Sequence, residues 1–128
     1  MKFLLDTHLL LWAASDPEQL SLTAKKYIDN VENELFFSPA SLWEVAIKNS
    51  LGRDDFRVDV RLLRRGLLDN GFSEMTITSE HTVFITGLPL LHKDPFDRLL
   101  IAQSLVEGIT FLTADLIVAQ YPGSIQLV

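Results

Sequence analysis

Five short runs of strand length, most of them apolar, alternate along this chain with longer segments of helical periodicity. That alternation is the pattern of an α/β fold built around a mainly parallel sheet. The strand-like runs are residues 2–5, 34–37, 74–77, 110–113 and a weaker 125–128. Apolar spacing predicts helices near residues 7–14, 23–31, 39–51, 60–68, 79–86 and 95–107, with a short one after Asp115. At 128 residues with 48% hydrophobic content, the chain suffices for one core, so residues 1–128 are expected to form one domain. No repeat, low-complexity tract or long linker divides it. Gly52-Arg53-Asp54-Asp55-Phe56-Arg57 is the most loop-like and charged stretch and the expected flexible excursion.

Acids fall where such a fold least tolerates them. Asp6 follows Phe3-Leu4-Leu5, Glu44 interrupts Leu42-Trp43-Val45-Ala46-Ile47, Asp94 and Asp97 bracket Pro95-Phe96, and Asp115 follows Phe111-Leu112-Thr113. Burying an ionised carboxylate without a partner is very costly, and the partner that accepts several at once is a hard divalent cation. In parallel sheets ligands bind outside the carboxyl ends of the strands, which is where Asp6 and Asp115 stand.

The charge balance fits that reading. Eleven Lys and Arg against 17 Asp and Glu give a net charge of −6, which taken alone argues against a phosphate-bearing partner. Setting the five acids aside leaves 11 bases against 12 acids, so the acidity is concentrated in the candidate site. Without cysteine there are no disulfides or thiolate metal sites, and a reducing cytoplasm is the expected location. Three His and no Cys also disfavour zinc. The apolar run after Met1 is broken by Asp6 and His8, too early for a signal peptide, and no stretch reaches the roughly 18 apolar residues of a membrane span.

Each candidate also has a purely structural explanation. Asp6 suits the N-cap of the helix starting at Thr7, and Asp115 the opening of a short helix with Thr113. Asp94 is a good N-cap before Pro95, with Asp97 placed for a reciprocal capping box, although Asp97 also leads into the apolar Leu99-Leu100-Ile101-Ala102. Ser41, Glu44 and Lys48 share one polar strip, either a solvated face with an ion pair or a ligand-bearing face. His8 and His92 flank the acidic segments, and a lone His is more often a surface or hydrogen-bonded residue. Arg98 either orients a carboxylate, touches a phosphate or is a surface helix charge. Arg61, Arg64 and Arg65 give one helix a basic edge suited to RNA backbone, to a partner, or to solvent alone.

Taken in order, Leu5-Asp6-Thr7-His8, Leu10-Leu11-Trp12, Leu20-Ser21, Ser41-Leu42-Trp43-Glu44-Val45-Ala46-Ile47-Lys48, Leu88-Pro89, the run from His92 through Asp94-Pro95-Phe96-Asp97-Arg98 to Gln103, and Leu112-Thr113-Ala114-Asp115 resemble the PIN-domain toxins of VapC type. The resemblance runs from Lys2 to about Tyr121. It implies a three-layer PIN-like α/β fold and a Mg²⁺- or Mn²⁺-dependent endoribonuclease that hydrolyses RNA. It also implies a cognate antitoxin protein and a homodimer. The family's acidic quartet maps to Asp6, Glu44, Asp97 and Asp115 as catalytic and metal-holding residues, and Asp94 is an additional acid of the branch with the Asp-Pro-Phe-Asp-Arg motif. Thr7 and Thr113 match supporting hydroxyls, and Arg98 and Lys48 would orient acids or balance their charge. The segment after Gly52 has Arg53-Asp54 where the family often has Gly-Lys-Leu, a departure that bears on substrate contacts around this loop rather than on the metal site.

Two rivals stand beside this reading. A HAD-like phosphatase needs a second Asp two positions after the first, where this chain has His8. A non-catalytic RNA-binding or interaction module needs only the fold and the basic helix.

Overall fold

The computed structural model describes residues 1–52 and 57–128, so the expected excursion at Arg53 to Phe56, and with it the Arg53-Asp54 departure, lies outside the described residues. Five strands form one all-parallel sheet in the order β3-β2-β1-β4-β5: β1 (Lys2–Leu5), β2 (Glu34–Phe37), β3 (Ser73–Glu74), β4 (Thr110–Thr113) and β5 (Ile125–Leu127). The helices are α1 (Thr7–Ser15), α2 (Leu22–Asp29), α3 (Pro39–Ser50), α4 (Val60–Asp69), α5 (Ser79–Phe84) and α6 (Pro95–Glu107).

Both faces of this sheet are covered, which is why its central strands read as apolar runs rather than as alternating ones. Phe3 and Leu5 of β1 and Leu112 of β4 join a core with residues of α1, α2 and α4. Leu4 and Phe111, one residue out of phase, join the opposite core with Leu99 to Ala102 of α6. The register pairs Leu4 with Phe111 and Leu5 with Leu112, so same-face neighbours pack side by side. The result is the expected three-layer α/β arrangement. Among the described residues no helix is long and apolar enough to cross a membrane.

Local signals set most boundaries. Ser38 caps α3 by accepting from the Ala40 amide, and Pro39 occupies the first helical position. Asp94 and Pro95 start α6 in the same way, and Gly108 ends it at φ 68°, a left-handed cap that favours glycine. The third strand is shorter and earlier than the 74–77 run suggested. Among the described residues it pairs only with β2, whose ladder ends at Phe37 before Ser38-Pro39 turns into α3, which leaves Thr76 and Ile77 no strand partner there. The last contact in this register is the Met75 amide donating to the Phe37 carbonyl at 2.8 Å.

Strand order reverses at β1: the chain first builds outward through β2 and β3, then returns to place β4 on the other side. Such a switch point opens a crevice at the carboxyl ends of β1 and β4.

Candidate metal centre

Asp6 and Asp115 flank that crevice, and Thr113 couples them. The Thr113 hydroxyl donates to Asp6 Oδ2 at 2.6 Å and accepts from the Asp115 amide at 3.0 Å. Asp6 Oδ1 accepts from the Leu9 amide at 2.9 Å, so this residue is the N-cap of α1 as well as the acid at the switch point. Burial raises its pKa, against the lowering effect of the Thr113, Leu9 and Ala114 hydrogen bonds. Asp115 likewise does two things: Oδ1 accepts from the Ile117 and Val118 amides, while Oδ2 faces His92.

Glu44 comes in on α3. The strip of Ser41, Glu44 and Lys48 is not a solvated face throughout, because Ser41 and Glu44 are buried. The Thr7 hydroxyl lies 2.8 Å from Glu44 Oε1 and 2.9 Å from Ser41 Oγ, tying α3 to the start of α1. Lys48 Nζ stands 3.2 Å from Glu44 Oε2, the expected i,i+4 ion pair.

Asp97 is the centre of the electrostatics. Its pKa is pushed up to about 7, first by burial and then by the neighbouring charges of Asp94, Glu44 and Asp6, with His92 acting in the opposite direction. An acid that feels three other carboxylates marks their point of convergence. The capping box suggested for α6 does not form. Asp94 caps the helix by accepting from the Phe96 and Asp97 amides at 2.8 and 3.1 Å, but its own amide donates to His92 Nδ1 at 3.0 Å. The Asp97 carboxylate is thereby left for the crevice, where His92 Nε2 lies 3.3 Å from Oδ2.

His92 is the residue that sequence reasoning underrated. Its only local mark is its place two residues before the capping Asp94; the contacts that matter come from elsewhere. Tyr121 holds its backbone from both sides, accepting from the His92 amide at 2.8 Å and donating to its carbonyl at 3.3 Å. Arg98 does not reach a carboxylate through its hydrogen bonds. Its guanidinium donates to the Pro89 and Ile85 carbonyls and to Tyr121 Oη, so it supports the site through the segment that carries His92. His8 is exposed and packs its ring on Trp12.

Among the described residues, His92, Asp97 and Asp115 each offer a donor atom, all within 4.8 Å of one another. With Asp6 and Glu44 adjoining through Thr113 and the charge coupling to Asp97, the donor set is mainly carboxylate oxygen. That composition fits a hard divalent cation, and cysteine is absent from the chain. The acids stand apart from a cavity of about 550 Å³ lined by Ala13, Leu35, Leu63, Leu67 and Phe72, among others, between α1, α2 and α4.

Comparison with known proteins agrees with this architecture. The family model described as the PIN domain matches residues 3–123. Solved structures with the same fold include VapBC2 from Rickettsia felis bound to a DNA fragment from their promoter, at 15% identity and TM-score 0.71, covering 99% of this chain and 98% of that one. DNA-bound VapBC from Salmonella typhimurium aligns at 14% identity and TM-score 0.68, covering 98% and 97%. VapBC-1 from nontypeable Haemophilus influenzae aligns at 14% and 0.62, covering 99% and 98%. No curated protein sequence matches. A family match over nearly the whole length, on a parallel α/β sheet whose switch point gathers carboxylates, establishes that this chain belongs to the PIN domain family.

Proposed function

We propose that this protein is a metal-dependent endoribonuclease that acts as the toxin of a toxin-antitoxin pair. The observation that carries the reading is the gathering of carboxylates at the switch point, where Asp97 and Asp115 lie with His92 within 4.8 Å of one another and Thr113 links Asp115 to Asp6, an arrangement that, with burial, pushes the Asp97 carboxyl up to about 7. Carboxylates held at mutual repulsion are matched to incoming positive charge, and a perturbed acid in a cleft is a recognised mark of a functional site. Asp6, Glu44, Asp97 and Asp115 would hold one or two Mg²⁺ or Mn²⁺ ions. When bound, such a cation supplies Lewis acidity at a phosphodiester, a lowered pKa for the attacking water and charge neutralisation at the leaving oxygen.

The chain's own residues supply the frame. Thr113 fixes the rotamer of Asp6 and the backbone of Asp115, and Thr7 does the same for Glu44. Lys48 balances the charge of Glu44 at the outer side of the group. Asp94 belongs chiefly to helix capping and adds to the negative field on Asp97.

RNA is the proposed substrate, met in the cytoplasm, and the protein partner is a small antitoxin encoded nearby. The structural relatives come from VapBC complexes, which supports this choice. A basic side chain of the antitoxin would pair with the acids in place of metal, with apolar anchors beside Trp43 or Trp12. Trp43 suits an anchor: it is 59% exposed and rests edge-on against Phe96 with ring centroids 5.0 Å apart. Exposed apolar side chains such as Leu51, Leu62 and Leu116 leave room for a homodimer.

The test is to express the chain with and without its gene neighbour and to map RNA ends after a brief pulse. Growth arrest with discrete new RNA ends, relieved by a copurifying neighbour, is expected. Normal growth and no partner reject the toxin role. Cleavage undiminished in excess EDTA rejects the metal mechanism.

A further inference from the structure

His92 sits among the acids in the position of a metal ligand, yet its hydrogen bonds assign it a different part. The Asp94 amide donates to Nδ1 at 3.0 Å. That bond requires a lone pair on Nδ1, so the proton of the neutral imidazole is on Nε2. Nε2 is the atom that faces the acids, 3.3 Å from Asp97 Oδ2 and 3.6 Å from Asp115 Oδ2. It therefore turns an N–H edge and not a lone pair toward both oxygens, at charge-contact distance rather than in an aligned hydrogen bond to either.

The backbone that carries the ring is held as well. Tyr121 fixes the His92 backbone at both its amide and its carbonyl, and Arg98 braces Tyr121 Oη at 3.2 Å. Ligation through Nε2 would move the proton to Nδ1, set it against the Asp94 amide and remove an acceptor from the start of α6.

We propose that His92 is a positioning residue whose Nε2–H, held in that tautomer by the Asp94 amide, keeps the Asp97 and Asp115 carboxylates together without ligating the cation. The proposal rests on the metal reading of the preceding section and refines it. It leaves the coordination to oxygen alone, which favours Mg²⁺ and Mn²⁺ and denies Zn²⁺ the nitrogen it prefers. It also gives Arg98 and Tyr121 a part in the chemistry at one remove, through the ring they orient.

The decisive measurement is ¹H–¹⁵N correlation on the full chain labelled at histidine, alone and with saturating Mg²⁺ or Zn²⁺. The expected spectrum shows His92 with Nε2 protonated and Nδ1 unprotonated in all three samples. Loss of the Nε2 proton when either ion is added overturns the proposal, as does the opposite tautomer in the metal-free protein. Mg²⁺ titration by calorimetry supplies a second readout. His92→Ala should weaken binding about 10- to 100-fold, the usual effect of losing a group that orients a ligand. His92→Gln, whose amide N–H₂ reaches toward the same oxygens, should recover most of that loss. An alanine variant that binds Mg²⁺ as tightly as wild type, or a glutamine variant no better than alanine, overturns the proposal. A wild-type protein that binds no Mg²⁺ while keeping the tautomer sinks the metal nuclease and leaves the donor role of His92 standing.

Discussion

The starts of α4 and α6 use one local grammar to different ends. Asp59 caps α4 by accepting from the Arg61 and Leu62 amides, and Asp94 caps α6 by accepting from the Phe96 and Asp97 amides. Asp59 is exposed, at the rim of the cavity between α1, α2 and α4, and none of the four candidate metal-holding acids is among the residues lining that cavity. Around the first turn of α6 there are β1, β4 and α3, each bringing an acid, and His92, which takes the amide that a capping box would have used. The same capping residue is only a helix start in one place and the edge of a candidate metal centre in the other. What differs is the neighbourhood supplied by distant parts of the chain.

The strongest challenge to that contrast is Asp97→Asn. Losing a carboxylate that helps to hold a catalytic cation should lower RNA cleavage about 100-fold or more, with a melting temperature equal to or above that of wild type, because repulsion is relieved while shape is kept. Asp59→Asn should leave cleavage unchanged. An Asp97→Asn protein that is inactive only because it melts far earlier would make the two regions alike.

Metal should distinguish them next. Saturating Mg²⁺ is expected to raise the melting temperature of the wild-type protein by mass action, and to do so much less for Asp97→Asn. Differential scanning fluorimetry with and without EDTA reads this directly, and equal shifts in both proteins would count against a site built on Asp97.

Titration gives a subtler contrast. The Asp97 carboxyl is raised from 3.8 to about 7, so the metal-free folded protein holds that proton more tightly than the unfolded chain does. Its stability contribution is then most favourable at low pH and is lost as pH rises from about 4 to about 7, after which the effect is constant. Denaturant midpoints across that window should fall with pH in wild type and fall less in Asp97→Asn. Some slope should persist, since Asp6 is raised as well. Equal slopes in the two proteins would overturn the placement of Asp97 among like charges.

The smallest effects concern the caps themselves. Asp94→Ala should cost about 0.5 to 2 kcal/mol of stability, and Asp59→Ala a value toward the lower end of that range in its exposed setting. Chemical denaturation measures both. Lost cleavage by Asp94→Ala at undiminished stability would move Asp94 from the frame of the site into its chemistry.

These contrasts explain what was legible in the residues. The central strands β1, β2 and β4 could be read because parallel strands covered on both faces must be apolar throughout, and Ser38-Pro39 and Asp94-Pro95 announced their helices. Asp6, Glu44, Asp97 and Asp115 stood out as charges beside core segments. The extent of β3 was not legible, since it is set by where β2 stops rather than by Thr76 and Ile77. Neither was the geometry around His92, whose ring is oriented by the next turn and whose backbone is held by Tyr121, 29 residues away. Arg98 read as a partner for carboxylates because it follows Asp97, whereas on a helix adjacent residues point in different directions, and its guanidinium reaches backbone carbonyls instead.

The hydrogen bond from Thr113 to Asp6 joins residues 107 positions apart. A protein made from its amino end carries Asp6 from the outset, and Glu44 joins it soon after with Thr7 and Lys48 already at hand, but Asp6 lacks Thr113 until β4 has been synthesised and has inserted beside β1. Half-made chains are thus chemically incomplete however well their first strands and helices form. If the proposed action on RNA holds, that delay would protect the message and ribosome producing it: the topology would then serve as a timer, withholding the assembled carboxylates until β4 has been made.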